Sequence, residues 1–474
     1  MTLILLYGRT LRKRRDTLTS LAAAFIVIVA MRPLDIMHVG FQLSFLAVLG
    51  IVITGDQLNT IFRNNRFYQN RILRWLALSY GATLSASVYT LVPVVNVFHQ
   101  FSLVSLLVGP LAIAFVGILM PAYLLVIASA LLWMPFAQLA AIPVNWMTGF
   151  FLQATSFFAD LPYTVVSLAT VDWWWGVALY GILLLLSRYT LLRSRKRVWV
   201  ISSLVLISLG LSFTSVQRNV TYMQFSLGSA DAAVVQDNHH TYVVDTGEHG
   251  GDLAGYLLST GRKVDVLLIT HLHADHVGGL KQLLEQKVAI QEIWLAHHAE
   301  NAPDTEGSFA LIMQAQEAGI PVRRVGAGDM LHSDRVKAEG VWPYQDKTYP
   351  GLHANDMSMA IWWDLDGIRL LTTGDLSGSY ENYAAYPSEV LKVTHHGSKT
   401  ATREDFLAAV NPQVAILPIA ENQLERTQDV VQRLEAISCK VYTTHHRGAL
   451  CLTIKDDQLH VSHHLPERQQ HESR

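Results

Sequence analysis

Long apolar runs separated by short basic or polar segments fill the first half of the chain. Most of them approach or exceed the roughly 20 residues that a helix needs to cross a hydrocarbon core. The run at 102–133 is long enough for two crossings, with a hinge near Pro121. The pattern therefore predicts a polytopic membrane domain of seven or eight helices over residues 1–216. The runs are 17–32, 38–54, 76–95, 102–133, 137–158, 174–187 and 198–214.

Lys and Arg gather in three segments between these runs, at 9–15, 63–74 and 188–197. The positive-inside bias places all three in the cytoplasm. The last run, 198–214, would then carry the chain outward, so we expect the second half on the far side of the membrane. This expectation requires an even number of crossings between the second and third basic segments. The apolar runs do not decide between two numbers of crossings there that differ by one.

Beyond Arg218 the pattern changes to short apolar strands that alternate with helices. Many strands with interspersed helices favour two sheets covered by helices, an α/β domain over residues 217–474. The predicted strands are 222–226, 232–236, 241–245, 264–269, 357–364, 369–373, 391–394, 414–418 and 440–444, and the predicted helices are 277–286, 305–318, 403–410 and 426–437.

Charge divides the chain at the same place. Residues 1–216 hold 15 Lys and Arg against 5 Asp and Glu, a formal +10, and the remainder holds 21 against 33, a formal −12. Eighteen of the 20 His also lie in the second part. Proteins that bind DNA without sequence preference need Lys and Arg to release counterions. The second domain is therefore not expected to capture DNA from solution by charge.

Cys439 and Cys451 are the only cysteines, too few for a disulfide framework. They flank a predicted hairpin between 440–444 and 449–454. In that hairpin they would lie about three positions out of register, so we do not expect them to be bonded.

The densest group of chemically active side chains follows the apolar run 264–269. Within six residues lie His271, His273, Asp275 and His276, and imidazole and carboxylate are the usual ligands of zinc- and manganese-type ions. His271 and His273 can point one way from an extended segment, while Asp275 and His276 point to a second position at the turn into a helix. The spacing predicts two adjacent metal sites.

Further candidate ligands stand where other predicted strands end. They are Asp245, Asp375 and the pair His395-His396. One Asp at a strand end is more often a turn former, but several beside Gly or His favour metal binding. Because strand ends meet at one rim of a layered sheet, these groups can join the loop at 271–276.

This combination of motifs is the signature of the metallo-β-lactamase superfamily. Upstream, Val39 to Gly50 and Phe98 to Ser102 resemble the competence domain of ComEC-type DNA-uptake channel proteins, and Thr394 to Lys399 resembles their late histidine segment. The resemblance implies a multi-domain fold in which an α-helical polytopic membrane domain precedes an αββα sandwich. It also implies a protein of the bacterial inner membrane that passes one DNA strand inward, with a hydrolase domain on the periplasmic or extracellular side that degrades the other.

The chain departs from that family in four places, one of which is that a His-Pro pair usual after 414–418 is replaced by the segment Glu421 to Asp429. Members usually begin with an earlier soluble domain and further spans, so we expect an N-terminally truncated or split product. The family's Gly-x-Gly-Asp is Gly228-Ser229-Ala230-Asp231 here. The segment Asn355 to Ser358 occupies the place of the superfamily's third-motif histidine but contains no histidine. His353 is an alternative ligand there.

The resemblance implies a site with two divalent cations, zinc or manganese. His271, His273 and either Asn355 or His353 would hold one, and Asp275, His276 and either His395 or His396 the other, with Asp375 bridging and Asp245 orienting ligands. Such a pair of cations activates a shared water for phosphodiester displacement. We assign Asp275, Asp245 and Lys399 to catalysis, and Asn355, Ser358 and Ser398 to substrate binding.

Three functional hypotheses remain. The first is a DNA-uptake channel with a deoxyribonuclease domain, whose partners are single-stranded DNA, other uptake machinery and the lipid bilayer. The second is a membrane-anchored hydrolase of esters, lactones or thioesters, and the third is a channel whose lactamase-like domain does not cut. Seven apolar runs favour the first over the second, since an anchor needs one span. Asp275, His276 and Asp375 favour activity, while the missing third-motif histidine keeps the third hypothesis open.

Overall fold

The structure is a computed structural model. It describes residues 17–55, 69–161, 164–187, 192, 194–214, 219–302, 305–347, 353–445, 448–455 and 458–464. Contacts divide the chain into two compact units, Met1–Ser215 and Val216–Arg474. The basic segment 9–15 and parts of the segments 63–74 and 188–197 lie outside the described residues.

Apolar helices make up nearly all of the described part of the first unit, and each predicted run lies in one of them. These are α1 (Thr17–Met31), α2 (Val39–Gly50, continued by a π-turn at Ile51–Gly55), α3 (Arg71–Phe98), α4 (Leu103–Leu132), α5 (Met134–Asp160), α6 (Trp173–Leu186) and α7 (Ser194–Thr214). The helical character predicted for this region is confirmed.

One helix differs from the prediction. The run at 102–133 forms the single helix α4 and not two helices hinged near Pro121, although Pro110 and Pro121 lie inside it. A proline removes only its own N–H, and long apolar helices tolerate that loss. The eighth predicted helix is therefore not found within this run.

Two helices of the described residues, α3 and α4, are long and apolar enough to cross a membrane, judged by length and composition alone. The helices α1, α2 and α6 are apolar but shorter. Among the described residues, all but five of the exposed large hydrophobic side chains belong to the first unit. Such an apolar surface is typical of a protein region that contacts lipid or a partner, which supports membrane association.

The second unit contains two mixed sheets. In chain order the strands are β3 (Val220–Gln224), β4 (Ala233–Gln236), β5 (Thr241–Val244), β6 (Val266–Ile269), β7 (Ile293–Ala296), β8 (Val322–Val325), β9 (Met330–His332), β10 (Val336–Trp342), β11 (Ala360–Leu365), β12 (Ile368–Thr372), β13 (Val390–Lys392), β14 (Val414–Leu417), β15 (Lys440–Thr443), β16 (Leu450–Lys455) and β17 (Gln458–His463), after a short β1–β2 pair in the first unit (Gln100–Ser102 and Val165–Ser167). One sheet has the order β17-β16-β3-β4-β5-β6-β7-β8 and the other β15-β14-β13-β12-β11-β10-β9.

Parallel pairing within each sheet determines where the chemistry gathers. Strands β5 to β8 are parallel neighbours in the first sheet, and β12 to β15 are parallel neighbours in the second. Their C-terminal ends therefore lie along one edge of each sheet. One buried cluster joins apolar side chains of both sheets, among them Val243, Leu267, Trp363 and Leu370.

Helices cover the sheets. They are α8 (Gly251–Thr260), α9 (Ala274–Val277), α10 (Leu280–Glu285), α11 (Glu306–Glu317), α12 (Glu404–Val410) and α13 (Leu424–Ala436). Leu253 and Leu283 of the earlier helices join the core shared by both sheets, while Phe406 and Leu434 of α12 and α13 pack in a second buried cluster. The α/β sandwich predicted for the second domain is confirmed.

The predicted hairpin around the cysteines is wrong. Strand β15 lies in the seven-stranded sheet, whereas β16 lies in the eight-stranded sheet between β3 and β17. Leu450, Leu452 and Ile454 are buried in the core, and this burial selects β3 as the partner. Cys439 and Cys451 are both free thiols.

Candidate metal centre

Four strands deliver the candidate ligands to one place. Asp245 follows β5 and the loop at 271–276 follows β6, two parallel neighbours in the eight-stranded sheet. Asp375 follows β12 and His395-His396 follow β13, two parallel neighbours in the seven-stranded sheet. The hydrogen bond from His395 N–H to the Gly374 carbonyl joins the last two loops at 3.1 Å.

The backbone at these strand ends is left-handed. Asp245, His395 and His396 have φ values of 57°, 48° and 49°, and Gly374 has a φ of 51°. A non-glycine residue in this region costs roughly 1–3 kcal/mol, and such strain concentrates at functional sites. The sharp turns bring both neighbouring imidazoles, His395 and His396, to the same carboxylate.

Asp375 lies at the middle of the group. Its Oδ2 is 3.4 Å from His276 Nε2, 3.3 Å from His396 Nε2 and 3.8 Å from His395 Nε2. One ligand atom each from Asp231, His276, Asp375 and His396 lies within 4.8 Å of the others. Three of these side chains are buried and His396 is nearly so, so they form a compact polar pocket between the sheets.

The donor set fits a divalent cation. Among the described residues, His276 Nε2, His396 Nε2 and Asp375 Oδ1 are buried and make no hydrogen bond. Buried polar atoms are nearly always paired, so unbonded buried atoms on three neighbouring side chains indicate a missing ligand. Imidazole nitrogen and carboxylate oxygen are the atoms that zinc and manganese take from proteins.

Asp245 holds His276 in place from behind. Its carboxylate lies 2.7 Å from His276 Nδ1 and accepts hydrogen bonds from the Thr270 N–H at 2.8 Å and hydroxyl at 2.7 Å. This contact fixes the ring with Nε2 towards Asp375, as outer carboxylates do for metal-bound histidines. Burial alone would lower the pKa of His276, but Asp375 and Asp245 raise it well above its ordinary value. The two carboxylates therefore stabilise positive charge at this position.

A second carboxylate, Asp231, lies behind His396. Its Oδ2 is 3.9 Å from His396 Nδ1 and forms an ion pair with Lys392 Nζ, and its Oδ1 accepts a hydrogen bond from Gln224 Nε2 at 3.1 Å. Asp231 and Lys392 are only 3% and 4% exposed. Burial would raise the pKa of Asp231, but Lys392 lowers it below its ordinary value. Asp231 is thus an ionised, charge-balanced neighbour of the pocket.

His271 and His273 form a neighbouring pair beside His276. His271 Nε2 lies 3.2 Å from His273 Nδ1, and the ring centroids of His271 and His276 are 4.1 Å apart. Burial, and then the charge on His276, lowers the pKa of His271 well below its ordinary value. His271 is therefore neutral, the form in which imidazole binds metal.

Comparison with known proteins gives two domain matches. Residues 1–193 match the family model described as competence protein, and residues 226–420 match the metallo-beta-lactamase superfamily. The chain joins a competence-protein domain to a metallo-β-lactamase domain.

Two curated relatives are similar to it. The chain is 22% identical over 488 aligned residues to ComE operon protein 3 of Bacillus subtilis, which covers 95% of this chain and 60% of that protein. It is 27% identical over 201 residues to Recombination protein 2 of Haemophilus influenzae, covering 40% of this chain and 23% of that protein. The chain thus spans less than two thirds of the length of either relative.

Solved structures are similar to part of the chain. Igni18, a metallo hydrolase of the archaeon Ignicoccus hospitalis, is 15% identical with a TM-score of 0.33, covering 49% of this chain and 98% of that one. The short form of human tRNase Z is 15% identical with a TM-score of 0.28, covering 43% of this chain and 94% of that one. The assignment to the superfamily stands on the domain match and not on these scores.

Three more of the predicted site residues lie in the metallo-β-lactamase domain with the following contacts. Ser358 is fully buried, with its hydroxyl 3.1 Å from His271 Nδ1 and accepting the Asp375 N–H at 3.1 Å, so it supports ligands and cannot touch substrate. Lys399, predicted to be catalytic, is 65% exposed and lies 3.6 Å from Asp429 on α13. The hydroxyl of Ser398 lies 3.2 Å from that of Thr400.

The remaining predicted residues lie at the edges of the pocket. Asp275 is partly exposed, with its Oδ2 4.0 Å from His396 Nε2, so it faces the solvent side of the metallo-β-lactamase centre. Asn355 has a buried Oδ1 without a hydrogen bond among the described residues, and His353 is exposed.

Sequence reasoning missed the pair Asp231–Lys392. A signal for it exists, because Lys392 is the single charge in the apolar segment Val390 to Val393. A lysine inside a buried strand requires a buried anion nearby. The carboxylate that ends Gly228-Ser229-Ala230-Asp231, directly before a buried strand, is such an anion.

Proposed function

We propose that the chain is a component of an inner-membrane channel for DNA uptake in natural transformation. In this proposal residues 1–216 are the membrane domain and residues 217–474 are a metal-dependent deoxyribonuclease that hydrolyses the strand that is not transported. The competence-protein match and the apolar helices support the first part, and the metallo-β-lactamase match supports the second. The observation that carries the enzymatic part is the convergence of His276, Asp375 and His396, with unbonded atoms, between the two sheets.

The proposed centre holds two divalent cations, zinc or manganese. His276, Asp375 and His396 would hold one, with Asp275 at its solvent edge, and His271 and His273 would hold the other. Bound cations would supply Lewis-acid activation of a water and of the phosphodiester. In this proposal Asp375 would be a ligand shared by the two cations.

The side chains around the centre orient the candidate ligands and limit the side from which substrate can enter. The Asp245 carboxylate keeps the His276 Nδ1 proton and thereby directs Nε2 inward. Asp231, paired with Lys392, lies 3.9 Å from His396 Nδ1, too far for a hydrogen bond, and supplies negative charge beside that ring. Asp231, His276 and Asp375 are buried whereas Asp275 is 37% exposed, so in this proposal a phosphodiester approaches past Asp275.

We further propose that the nuclease domain faces the periplasmic or extracellular side and receives its strand from the attached channel. The formal charge of −12 on residues 217–474 supports delivery of the strand by the channel and not its capture from solution, because an acidic surface repels a phosphate backbone. Single-stranded DNA, the lipid bilayer and other uptake machinery are the partners in this proposal.

The experiment uses the full chain in detergent with manganese or zinc. Hydrolysis of labelled single-stranded DNA is measured beside hydrolysis of a chromogenic β-lactam, an ester and a lactone. We expect Asp375→Asn to abolish DNA hydrolysis and Asp364→Asn, the same change on the solvent side of β11, to preserve it. Undiminished activity in Asp375→Asn would refute the site. Hydrolysis of only the ester or lactone would refute the nuclease assignment, and inertness towards every substrate would refute the enzymatic proposal.

A further inference from the structure

Aromatic side chains from the loop that follows Asp375 and from the end of β10 gather in one cluster. Trp342, Tyr344, Tyr380 and Tyr383 contact one another with ring centroids 5.5 to 6.4 Å apart. Among the described residues of the second unit, only two aromatic side chains are exposed, Tyr383 at 52% and the nearby Tyr386 at 40%. The two most exposed of these rings in an acidic domain thus lie within four residues of each other.

The ring of Tyr383 is held in a fixed orientation. It stacks on Trp342 at 5.5 Å with the planes 23° apart, and Tyr380 lies at the same distance from Trp342. Trp342 is 1% exposed, and its Nε1 donates to the Asp356 carbonyl at 2.8 Å. A buried, hydrogen-bonded indole therefore orients Tyr383, whose side chain remains half exposed. Little ordering cost remains for a planar ligand that stacks there.

This surface adjoins the metal centre through two segments of chain. Tyr380 is five residues after Asp375, which limits their separation to about 17 Å even for an extended chain. The chain turns in between, since the Tyr380 N–H donates to the Ser377 carbonyl at 2.9 Å. The Ser377 hydroxyl also donates to the Asp356 carboxylate, and Asp356 supports Trp342 through its carbonyl. The rings and the centre are therefore parts of one rigid loop system.

A cation lies beside the rings. Lys347 Nζ is 4.5 Å from the centre of the Tyr344 ring, and Tyr344 meets Tyr383 edge to face at 6.4 Å. An exposed aromatic face with an ammonium group beside it matches a nucleotide, which offers a planar base and an anionic phosphate. A purely apolar partner would offer no anion to the ammonium group and no hydrogen-bonding group to the tyrosine hydroxyls.

We propose that Tyr383, backed by Trp342 and Tyr380, is a stacking platform for a base of single-stranded nucleic acid. The strand would lie across the platform while a phosphodiester a short distance along it reaches the metal centre. This inference rests on the proposed function, since it names how the substrate strand is held. Stacking needs only a π-face, so the platform would grip any sequence, as a nuclease for incoming DNA requires.

The test measures binding without hydrolysis. The full chain in detergent and EDTA is titrated into a labelled thymidine oligonucleotide of about 12 nucleotides, within the range of single-strand site sizes, and into an abasic strand of equal length. The two strands carry the same phosphates, so only stacking distinguishes them. We expect the wild type to bind the thymidine strand about fivefold to a hundredfold more tightly.

Three variants locate that preference. Tyr383→Leu keeps apolar area but removes the π-face, so the two strands should bind equally, whereas Tyr383→Phe should retain the preference. Tyr442→Leu is the matched control, because Tyr442 also carries a lysine, Lys440, 4.9 Å from its ring centre. It lies within β15, distant in sequence from the loop after Asp375, and its replacement should retain the preference.

Equal binding of both strands by the wild type would overturn the platform, as would an undiminished preference in Tyr383→Leu. The metal-dependent assay with Asp375→Asn reports on the proposed function separately. A base preference without DNA hydrolysis would retain the platform and reject the nuclease. DNA hydrolysis without a base preference would do the reverse.

Discussion

Replacing Lys392 by methionine removes the ammonium group that neutralises Asp231 in the interior of the metallo-β-lactamase domain. Asp231 is 3% exposed and would keep the hydrogen bond from Gln224 and the more distant His396 imidazole, 3.9 Å away, but no paired cation of its own. Removing one partner of a buried ion pair costs about 3–5 kcal/mol, because the other charge stays desolvated. At about 2–4 °C per kcal/mol for a domain of this size, Lys392→Met should lower the melting temperature by roughly 6–20 °C.

The assay is thermal unfolding of the full chain in detergent and EDTA, followed by tryptophan fluorescence. Lys399→Met is the matched control, since Lys399 pairs with Asp429 on the surface and its loss should cost under about 0.5 kcal/mol. The double variant Asp231→Asn with Lys392→Met buries no charge and should recover at least half of the loss. The reasoning is refuted if Lys392→Met melts within about 2 °C of wild type, or if the double variant is no more stable than the single one.

Three further outcomes are expected. Gly279→Ala should lower the free energy of unfolding by about 2–3 kcal/mol, because its Cβ would lie 2.2 Å from the Thr246 carbonyl oxygen, while Gly251→Ala, with nothing within 4 Å, should change little in urea titrations. Burial alone would raise the pKa of Asp237, but hydrogen bonds from Ser333 and two backbone N–H groups lower it. The ionised Asp237 therefore stabilises the fold above pH 3.8, and this contribution is lost as the pH falls. Ser333→Ala should therefore cost about 1 kcal/mol at neutral pH and progressively less below pH 3.8, and a constant deficit would contradict this sign. Adding manganese to the EDTA-treated chain should raise its melting temperature, and an unchanged value would count against a metal centre.

Much of this arrangement could be predicted because polar residues that follow buried strands lie at the edge of the sheet, close to one another. The apolar run before His271 and those before Asp245 and Asp375 indicate strands that end in candidate ligands, and the structure brings these residues together. Periodicity also predicted the two sheets. It missed β7, β8, β9, β10 and β17, most of which are short or carry few buried residues.

Contacts between distant segments could not be predicted in this way. Asp231 and Lys392 are 161 positions apart and meet only when the two sheets pack together. Ser358 looks like a surface residue in the sequence but is fully buried under His271. The adjacent residues His395 and His396 cannot be told apart by spacing, since their directions depend on two left-handed backbone conformations.

The centre draws its groups from both sheets at once. Asp245 and His276 come from the eight-stranded sheet, and Asp375 and His396 from the seven-stranded one. A nascent or half-unfolded chain would carry all of these side chains and still lack the cavity that they form together. Any chemistry that depends on this cavity would therefore be absent from incompletely folded copies of the protein.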